Sequence, residues 1–96
     1  MEFTALPLHD AILQTAAVHW PSATCRILFE PVGVGQVQEL AFAGVTELVL
    51  PRKEPWGPSS LVNTVLQPEP GCFQLKMQSG DVIQVRASTW HYQRKA

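Results

Sequence analysis

One adjacent pair of side chains in this sequence could transfer a proton, and it consists of His9 and Asp10. An aspartate that binds an imidazole can hold it in the tautomer that a general base requires. Neighbouring residues seldom face each other in this way, whereas aspartate is a good N-cap residue of a helix. We therefore favour a structural interpretation, in which Asp10 caps a short helix and His9 binds nearby backbone. A small enzyme or ligand-binding site built on His9 and Asp10, to which His19 or His91 could be added, is the alternative hypothesis.

The other reactive residue types are not arranged as in a known class of catalytic or metal site. The three histidines lack the four-residue spacing of two ligands on one helix face, and Cys25 and Cys72 do not form a Cys-x-x-Cys motif. No serine lies in a Gly-x-Ser-x-Gly motif, which forms the nucleophile turn of many hydrolases. We therefore predict no metal site, no cofactor and no enzymatic activity.

Trp56 is a candidate for binding, because it lies among prolines and glycines in the segment EPWGPSS (54–60). Such a segment holds an aromatic side chain in place at a low cost in conformational entropy. Two interpretations are open. Trp56 is either a plug that closes one end of the sheet or an anchor that binds a partner. The candidate contact residues around it are Arg52, Glu54, Ser59 and Asn63.

Apolar and polar residues alternate in short runs separated by Pro, Gly and Ser, which is typical of β-strands and turns. The predicted strands are 14–20, 25–30, 37–43, 45–50, 61–67, 72–78 and 82–88. The alternation directs Trp20 and Cys25 to the core, His19 to solvent, and Cys72 to a partly exposed position. In the tail, Trp90 and Tyr92 either dock on the body or extend an edge.

A helix is predicted only near the N-terminus, where Leu8 and Ile12 are four residues apart and Leu13 follows. The predicted fold is therefore mostly β, of the α+β class. It consists of a curved or partly closed antiparallel sheet of about six to seven short strands and one short N-terminal helix.

Length and composition predict a single domain over residues 1–96, with an ordinary globular balance of 46% apolar and 16% charged residues. The net charge is −1, and the seven basic residues are scattered, which argues against nucleic-acid binding. No run approaches the ~20 apolar residues of a membrane span, and the first residues do not form a signal peptide. A cytoplasmic location is expected.

Three segments of the chain resemble a group of small bacterial domains. They are LHDAIL (8–13) with the strand that ends at His19-Trp20, residues 44–63 with RKEPWGPSSLVN (52–63), and QSGD (78–81). Some of these domains resemble immunity proteins, which neutralise toxins in bacterial competition. The resemblance implies occlusion of a toxin by a preformed surface and assigns no catalytic residue. A nearly neutral chain departs from the acidic character of many inhibitors of basic nucleases, so it does not imply a cationic nuclease as the target.

The function predicted from the sequence is thus a non-enzymatic protein-binding module, of the immunity type, that acts through the Trp56 loop. A homo-oligomer whose apolar surface is its own interface is a further alternative, because a chain with few charges has an adhesive surface.

Overall fold

In the part of the chain that the structure describes, the alternating runs fold as eight strands, all of them paired in the antiparallel direction. The computed structural model describes residues 2–95. Its strands are β1 (Ile12–His19), β2 (Thr24–Glu30), β3 (Gln38–Ala43), β4 (Glu47–Val49), β5 (Val62–Glu69), β6 (Cys72–Met77), β7 (Val82–Arg86) and β8 (Thr89–Arg94). Two 3-10 turns, Phe3–Ala5 and Gly57–Ser60, supply the helical geometry of the described range.

The strands form two four-stranded sheets that are joined at a double corner. Sheet A has the strand order β1-β2-β3-β8, and sheet B has the order β4-β7-β6-β5. The chain enters sheet B between β3 and β4 and returns between β7 and β8. At this corner the Ser88 N–H donates to the Ala43 carbonyl (3.0 Å) and the Thr46 N–H donates to the Arg86 carbonyl (2.8 Å). Gly44 turns the corner with a φ of 67°, a conformation that favours glycine.

The inward faces of the two sheets enclose one apolar core. Phe3 from the first 3-10 turn contacts both sheets, because its ring lies 4.9 Å from Phe73 in sheet B and 5.5 Å from Trp90 in sheet A. Aromatic pairs at these distances add to the stability that burial alone provides. The buried cluster comprises Phe3, Leu6, Leu8, Ala11, Cys25, Ile27, Phe29, Leu40, Phe42, Val62, Val65, Phe73, Leu75, Met77, Ile83, Val85 and Ala87.

The N-terminal helix predicted from the sequence is wrong, and within residues 2–95 the structure has no α-helix. Leu8 is buried, but Ile12 is 43% exposed and begins β1. Asp10 has a φ of 64°, which a right-handed helix excludes, and its N–H donates to the Val62 carbonyl (2.8 Å). Because of this long-range hydrogen bond, the segment with the helix-like spacing forms a turn before β1 instead of a helix. In the described range no helix is long and apolar enough to cross a membrane.

Eight strands form rather than six or seven, because the tail residues 89–94 pair with β3 as β8. Trp90 and Tyr92 pack against the core from this edge strand, so docking and edge extension both occur. Both sheets are antiparallel, and in the described residues they do not close into a barrel. One isolated bridge, between Ile12 and Leu61, connects β1 to the chain just before β5.

Two predictions of side-chain burial are wrong. Trp20 is 87% exposed, because it lies in the turn after β1, beyond the last pair of the strand, His19 with Thr24. Cys72 is 1% exposed, although it lies on the outer face of sheet B. Its cross-strand neighbours are Glu69 and Arg86, whose side chains form an ion pair at 2.7 Å. That ion pair covers the thiol.

Candidate functional site

The three segments singled out in the sequence meet around the β6–β7 turn, residues 78–81. The Asp81 carboxylate accepts the backbone N–H groups of Lys53 (3.2 Å) and Glu54 (3.3 Å) through its Oδ2 atom. The Ser79 hydroxyl donates to the same oxygen at 3.4 Å. One carboxylate therefore fixes the start of the Trp56 loop, which we define as residues 52–60. Hydrogen bonds from two backbone donors to one charged acceptor are stronger than neutral ones.

The same turn also holds the N-terminal segment. The side-chain amide of Gln78 donates to the Asp10 carboxylate, and its backbone N–H donates to the Leu61 carbonyl (2.8 Å). His9 Nδ1 donates to the Asn63 carbonyl (2.7 Å). The two alternative sites considered from the sequence, one around Trp56 and one around His9 and Asp10, therefore adjoin a single turn.

The geometry of His9 and Asp10 is not that of a general base and its orienting carboxylate. A carbonyl oxygen only accepts, so the proton of His9 is on Nδ1, which faces Asn63. The Nε2 atom lies 3.6 Å from the Asp10 carboxylate, which exceeds a hydrogen-bond distance. The two side chains are 71% and 50% exposed, so water screens their interaction. The helix-cap role predicted for Asp10 is also wrong, because within residues 2–95 no helix begins after Asp10, which precedes β1. Its carboxylate instead binds Gln78.

The remaining histidines lie on sheet A and have local partners. His19 is exposed, as predicted, and its Nδ1 atom bonds to the Ser22 hydroxyl (2.7 Å). His91 on β8 bonds to the Gln93 side chain (3.0 Å). Among residues 2–95, no three histidine, cysteine or acidic side chains come close enough together to hold a metal ion.

Trp56 is presented on a loop that is fixed at several points. Its side chain is 50% exposed and lies outside the buried core cluster. The Trp56 carbonyl accepts the Ser59 N–H (2.8 Å), and the Ser60 hydroxyl donates to the Gly57 carbonyl (3.2 Å). Together with Asp81, these bonds order the loop before any partner binds. An aromatic side chain on an ordered loop loses little conformational freedom when it is buried at an interface.

The other predicted contact residues differ in exposure. Arg52, Glu54 and Asn63 are exposed, and Ser59 is half-buried. Arg52 and Ser59 line a depression of about 410 Å³ together with Asp81. Asn63 accepts the His9 N–H through its backbone carbonyl.

An open cleft lies beside the Trp56 loop, between β1 of sheet A and the segment that includes β4 of sheet B. Its first depression, of about 390 Å³, has a mainly apolar lining made of Val18, Trp20, Ala23, Val45, Thr46, Glu47 and Leu48. Its second depression is the one bordered by the Trp56 loop, and its other lining residues are Leu13, Gln14, Thr15, Ala16, Leu50, Pro51, Ser60, Met77 and Ile83. The Trp56 loop borders the second depression, and Trp20 lines the first.

Sequence reasoning missed this cleft because it treated the inward face of β1 as core. Of the large apolar side chains exposed in the described residues, most lie on β1 and its turn or on the segment 49–56. They are Ile12, Val18, Trp20, Val49, Leu50 and Trp56, and the others are Val32, Val34 and Leu66. The sequence contains no signal for the cleft, because the runs 45–50 and 14–20 are nearly equal in length, whereas in the structure β4 has three residues and β1 has eight.

Two groups outside this surface have a pKa shifted by burial. Loss of hydration raises the pKa of the Cys25 thiol in the core, and the same cause raises the pKa of the Tyr92 hydroxyl on β8. A third group, Arg86, has its pKa raised by the hydrogen bond to Glu69. Cys25 is completely buried, which suits a packing residue and not a reactive thiol.

Comparison of the chain with protein-family models, with curated proteins and with solved structures gives no significant match.

Proposed function

We propose that the protein is a non-enzymatic binding module that acts by covering a surface of a partner protein. The observation that carries the proposal is the fixed presentation of Trp56 beside an open, mainly apolar cleft. Tryptophan is enriched among the residues that dominate binding energy at protein interfaces. The surface comprises the Trp56 loop and the depression that it borders.

The polar groups around Trp56 supply the rim that such an interface needs. Arg52, Glu54 and Asn63 are exposed near the loop, so their side chains are free to make hydrogen bonds and ion pairs with a partner. Both signs of charge are present, which favours a partner surface of mixed charge over a strongly basic one. A partner of this kind agrees with the near-neutral net charge of −1.

The resemblance of the three converging segments to small bacterial domains supports an immunity-type role, in which the partner is a toxin domain. In such a role the rigid β body matters because an inhibitor that is already ordered spends little of its binding energy on ordering itself. The hydrogen bonds from Asp81 and Gln78 are the contacts that would keep the binding surface ordered in the free protein.

The test is to identify a stoichiometric partner by affinity capture with the full chain, and then to measure the affinity of the purified pair by calorimetry. Trp56→Ala should weaken binding by at least about 30-fold, because a hot-spot residue contributes roughly 2 kcal/mol or more. The matched control is Leu66→Ala, which removes another exposed apolar side chain, 41% exposed, from the outer face of sheet B. This control should bind like the unmodified protein.

Thermal unfolding of both variants separates binding from folding. If Trp56 is a structural plug, Trp56→Ala should lose about 3–5 kcal/mol of unfolding free energy, as other buried aromatics do. A half-exposed side chain should lose much less. A partner that binds Trp56→Ala and the unmodified protein equally well would contradict the proposal.

A further inference from the structure

One strand edge of this molecule is long, exposed and unpaired. β1 pairs with β2 on one side, and on its other side the isolated bridge at Ile12 is its one backbone connection in the described part of the chain. Every residue from Gln14 to Ser22 is exposed. Such an edge presents a row of free N–H and carbonyl groups, which is a template for pairing with another strand.

The other three strand edges carry features that prevent pairing. β4 has only three residues. β5 contains Pro68, has two register irregularities and contacts the first 3-10 turn. β8 ends in Arg94, which Lys95 follows. Short length, proline, irregular pairing and terminal cations are the usual protections of sheet edges.

β1 lacks most of these protections, because its sequence ILQTAAVH contains no proline, no lysine, no arginine and no acidic residue. Its one irregularity is at Gln14, where the register with β2 shifts. From Thr15 to His19 the pairing with β2 is continuous. This five-residue segment is therefore regular and neutral.

The regular segment is also complementary to itself. If two copies pair in antiparallel fashion about Ala17, then Thr15 lies opposite His19, and Ala16 lies opposite Val18. Both members of each pair face the same side of the sheet, because the register with β2 directs Ala16 and Val18 inward and the other three residues outward. The axis falls on a small alanine, so the two strands can approach without a clash. No charge faces a like charge within the segment.

Pairing of this kind would also cover apolar surface that a single chain leaves open. Ala16 and Val18 share the inner side of β1, and Trp20 in the following turn lines the same depression as Val18; Val18 is 43% and Trp20 87% exposed. A tryptophan side chain buries about 150–250 Å² when it is enclosed. A specific dimer needs roughly 500 Å² from each copy, which is about a tenth of the 5631 Å² surface of this chain. Trp20, Val18 and the strand edge lie in one continuous patch that can supply this area.

We infer that the free edge of β1 binds another copy of this chain. The two copies pair through residues 15–19 and form one continuous eight-stranded sheet. The pairing buries Val18 and Trp20 and leaves the Trp56 loop outside the strand ladder. The inference does not depend on the proposed function, because it rests on β1 and not on Trp56.

The test is the mass of the full chain in sedimentation equilibrium between about 5 and about 500 µM, a range that includes weak interfaces. The unmodified protein should convert from monomer to dimer within this range. Ala17→Lys should raise the dissociation constant at least tenfold. It places two ammonium groups against each other at the axis, and the exposed Arg26 beside Ala17 on β2 adds to the repulsion. Ala43→Lys is the matched control, because it adds the same charge to the exposed face of β3 and should leave the dimer intact.

A cysteine at the axis provides a positive test that does not rely on disruption. Directly opposed residues in an antiparallel pair have Cα atoms about 4.5–5.5 Å apart, which permits a disulfide. Ala17→Cys should therefore form a covalent dimer under mild oxidation, whereas Ala43→Cys should not. The native thiols of Cys25 and Cys72 are buried and do not compete. A monomer at every concentration, or a dimer that persists in Ala17→Lys, would overturn the inference.

Discussion

Replacing Gly44 by alanine should lower the free energy of unfolding by about 2–5 kcal/mol, because two separate penalties act at this position. The first is conformational. Gly44 has a φ of 67°, and the left-handed region costs an L-residue about 1–2 kcal/mol. The second is steric. A Cβ atom added to Gly44 would lie 2.4 Å from the Oγ and 2.8 Å from the Cβ of Ser88.

The steric penalty is hard to relieve, because Ser88 lies in the other connection between the two sheets, the one from β7 to β8. Its hydroxyl can rotate away, but its Cβ cannot move without its backbone, which donates a hydrogen bond to the Ala43 carbonyl (3.0 Å). Overpacking of this kind costs about 1–3 kcal/mol. For a domain of this size each kcal/mol lowers Tm by about 4–8 °C, so Gly44→Ala should melt at least about 8 °C lower.

Two other glycines separate the penalties when all variants are measured by urea unfolding at equilibrium. Gly33→Ala has a φ of 77° but no atom within 4 Å of the added Cβ, so it should show at most the conformational cost. Gly57→Ala has neither feature and should be nearly neutral. Adding Ser88→Gly to Gly44→Ala should recover about 1 kcal/mol or more relative to the sum of the single changes. Two results together would refute the reasoning. Gly44→Ala would lower the free energy of unfolding no more than Gly33→Ala does, and the double variant with Ser88→Gly would show no coupling. Gly44 and Ser88 would then not be in tight contact.

Two further predictions concern backbone strain and pH. Ala23→Gly should stabilise the protein by about 0.5–1 kcal/mol, because Ala23 holds a φ of 54° in the β1–β2 turn, while Ala41→Gly within β3 should destabilise it. An unchanged urea midpoint for Ala23→Gly would be evidence against strain at this turn. The raised pKa values of Cys25 and Tyr92 mean that the folded protein holds these protons more tightly than the unfolded chain. Their stabilisation is therefore complete below the ordinary pKa values of 9.0 and 10.0, and it is lost as the pH rises through the folded-state values. Urea midpoints between neutral and strongly alkaline pH should fall in the unmodified protein and fall less in Cys25→Ala and Tyr92→Phe, and parallel curves for all three would contradict the assignment.

The hairpin formed by β6 and β7 could be predicted from the sequence because its information is local. Phe73, Leu75 and Met77 alternate with polar residues, and the return strand repeats the pattern with Ile83 and Val85. All five side chains are buried, as the alternation predicts. Strict two-residue periodicity on both sides of a short turn determines three things together: that the element is a hairpin of two strands, how the strands are paired in register, and which face is buried.

The N-terminal segment could not be predicted in the same way, because its conformation depends on distant residues. The spacing of Leu8 and Ile12 fits a helix, but the Asp10 N–H binds the Val62 carbonyl and its carboxylate binds Gln78. These partners are more than fifty residues away along the chain. Local propensity is a weak prior, and such tertiary contacts routinely override it.

The candidate site was predictable in part. Trp56 was identified from its rigid neighbours, and Arg52, Glu54 and Ser59 follow from nearness along the chain. The role of Asp81 was not predictable, because a carboxylate in a hairpin turn gives no sign that it will bind the backbone of Lys53 and Glu54. The exposure of Trp20 was missed for a different reason. The alternation was extended to Trp20, but Trp20 lies in the turn after β1, where alternation does not report burial.

The lengths of the strands explain why this side of the molecule remains open. β1 has eight residues and β4 has three. At about 3.3 Å per residue the two strands differ in length by roughly 16 Å. The mismatch arises because the chain remains in sheet A through residue 43 and turns at Gly44. The segment of sheet B that faces β1 is therefore short. Val18 is thus exposed by the position of the corner. The Trp56 loop is held by Asp81, at the β6–β7 turn, and not by that corner. Binding through Trp56 and pairing through β1 have separate structural origins, and a variant that abolishes one should leave the other measurable.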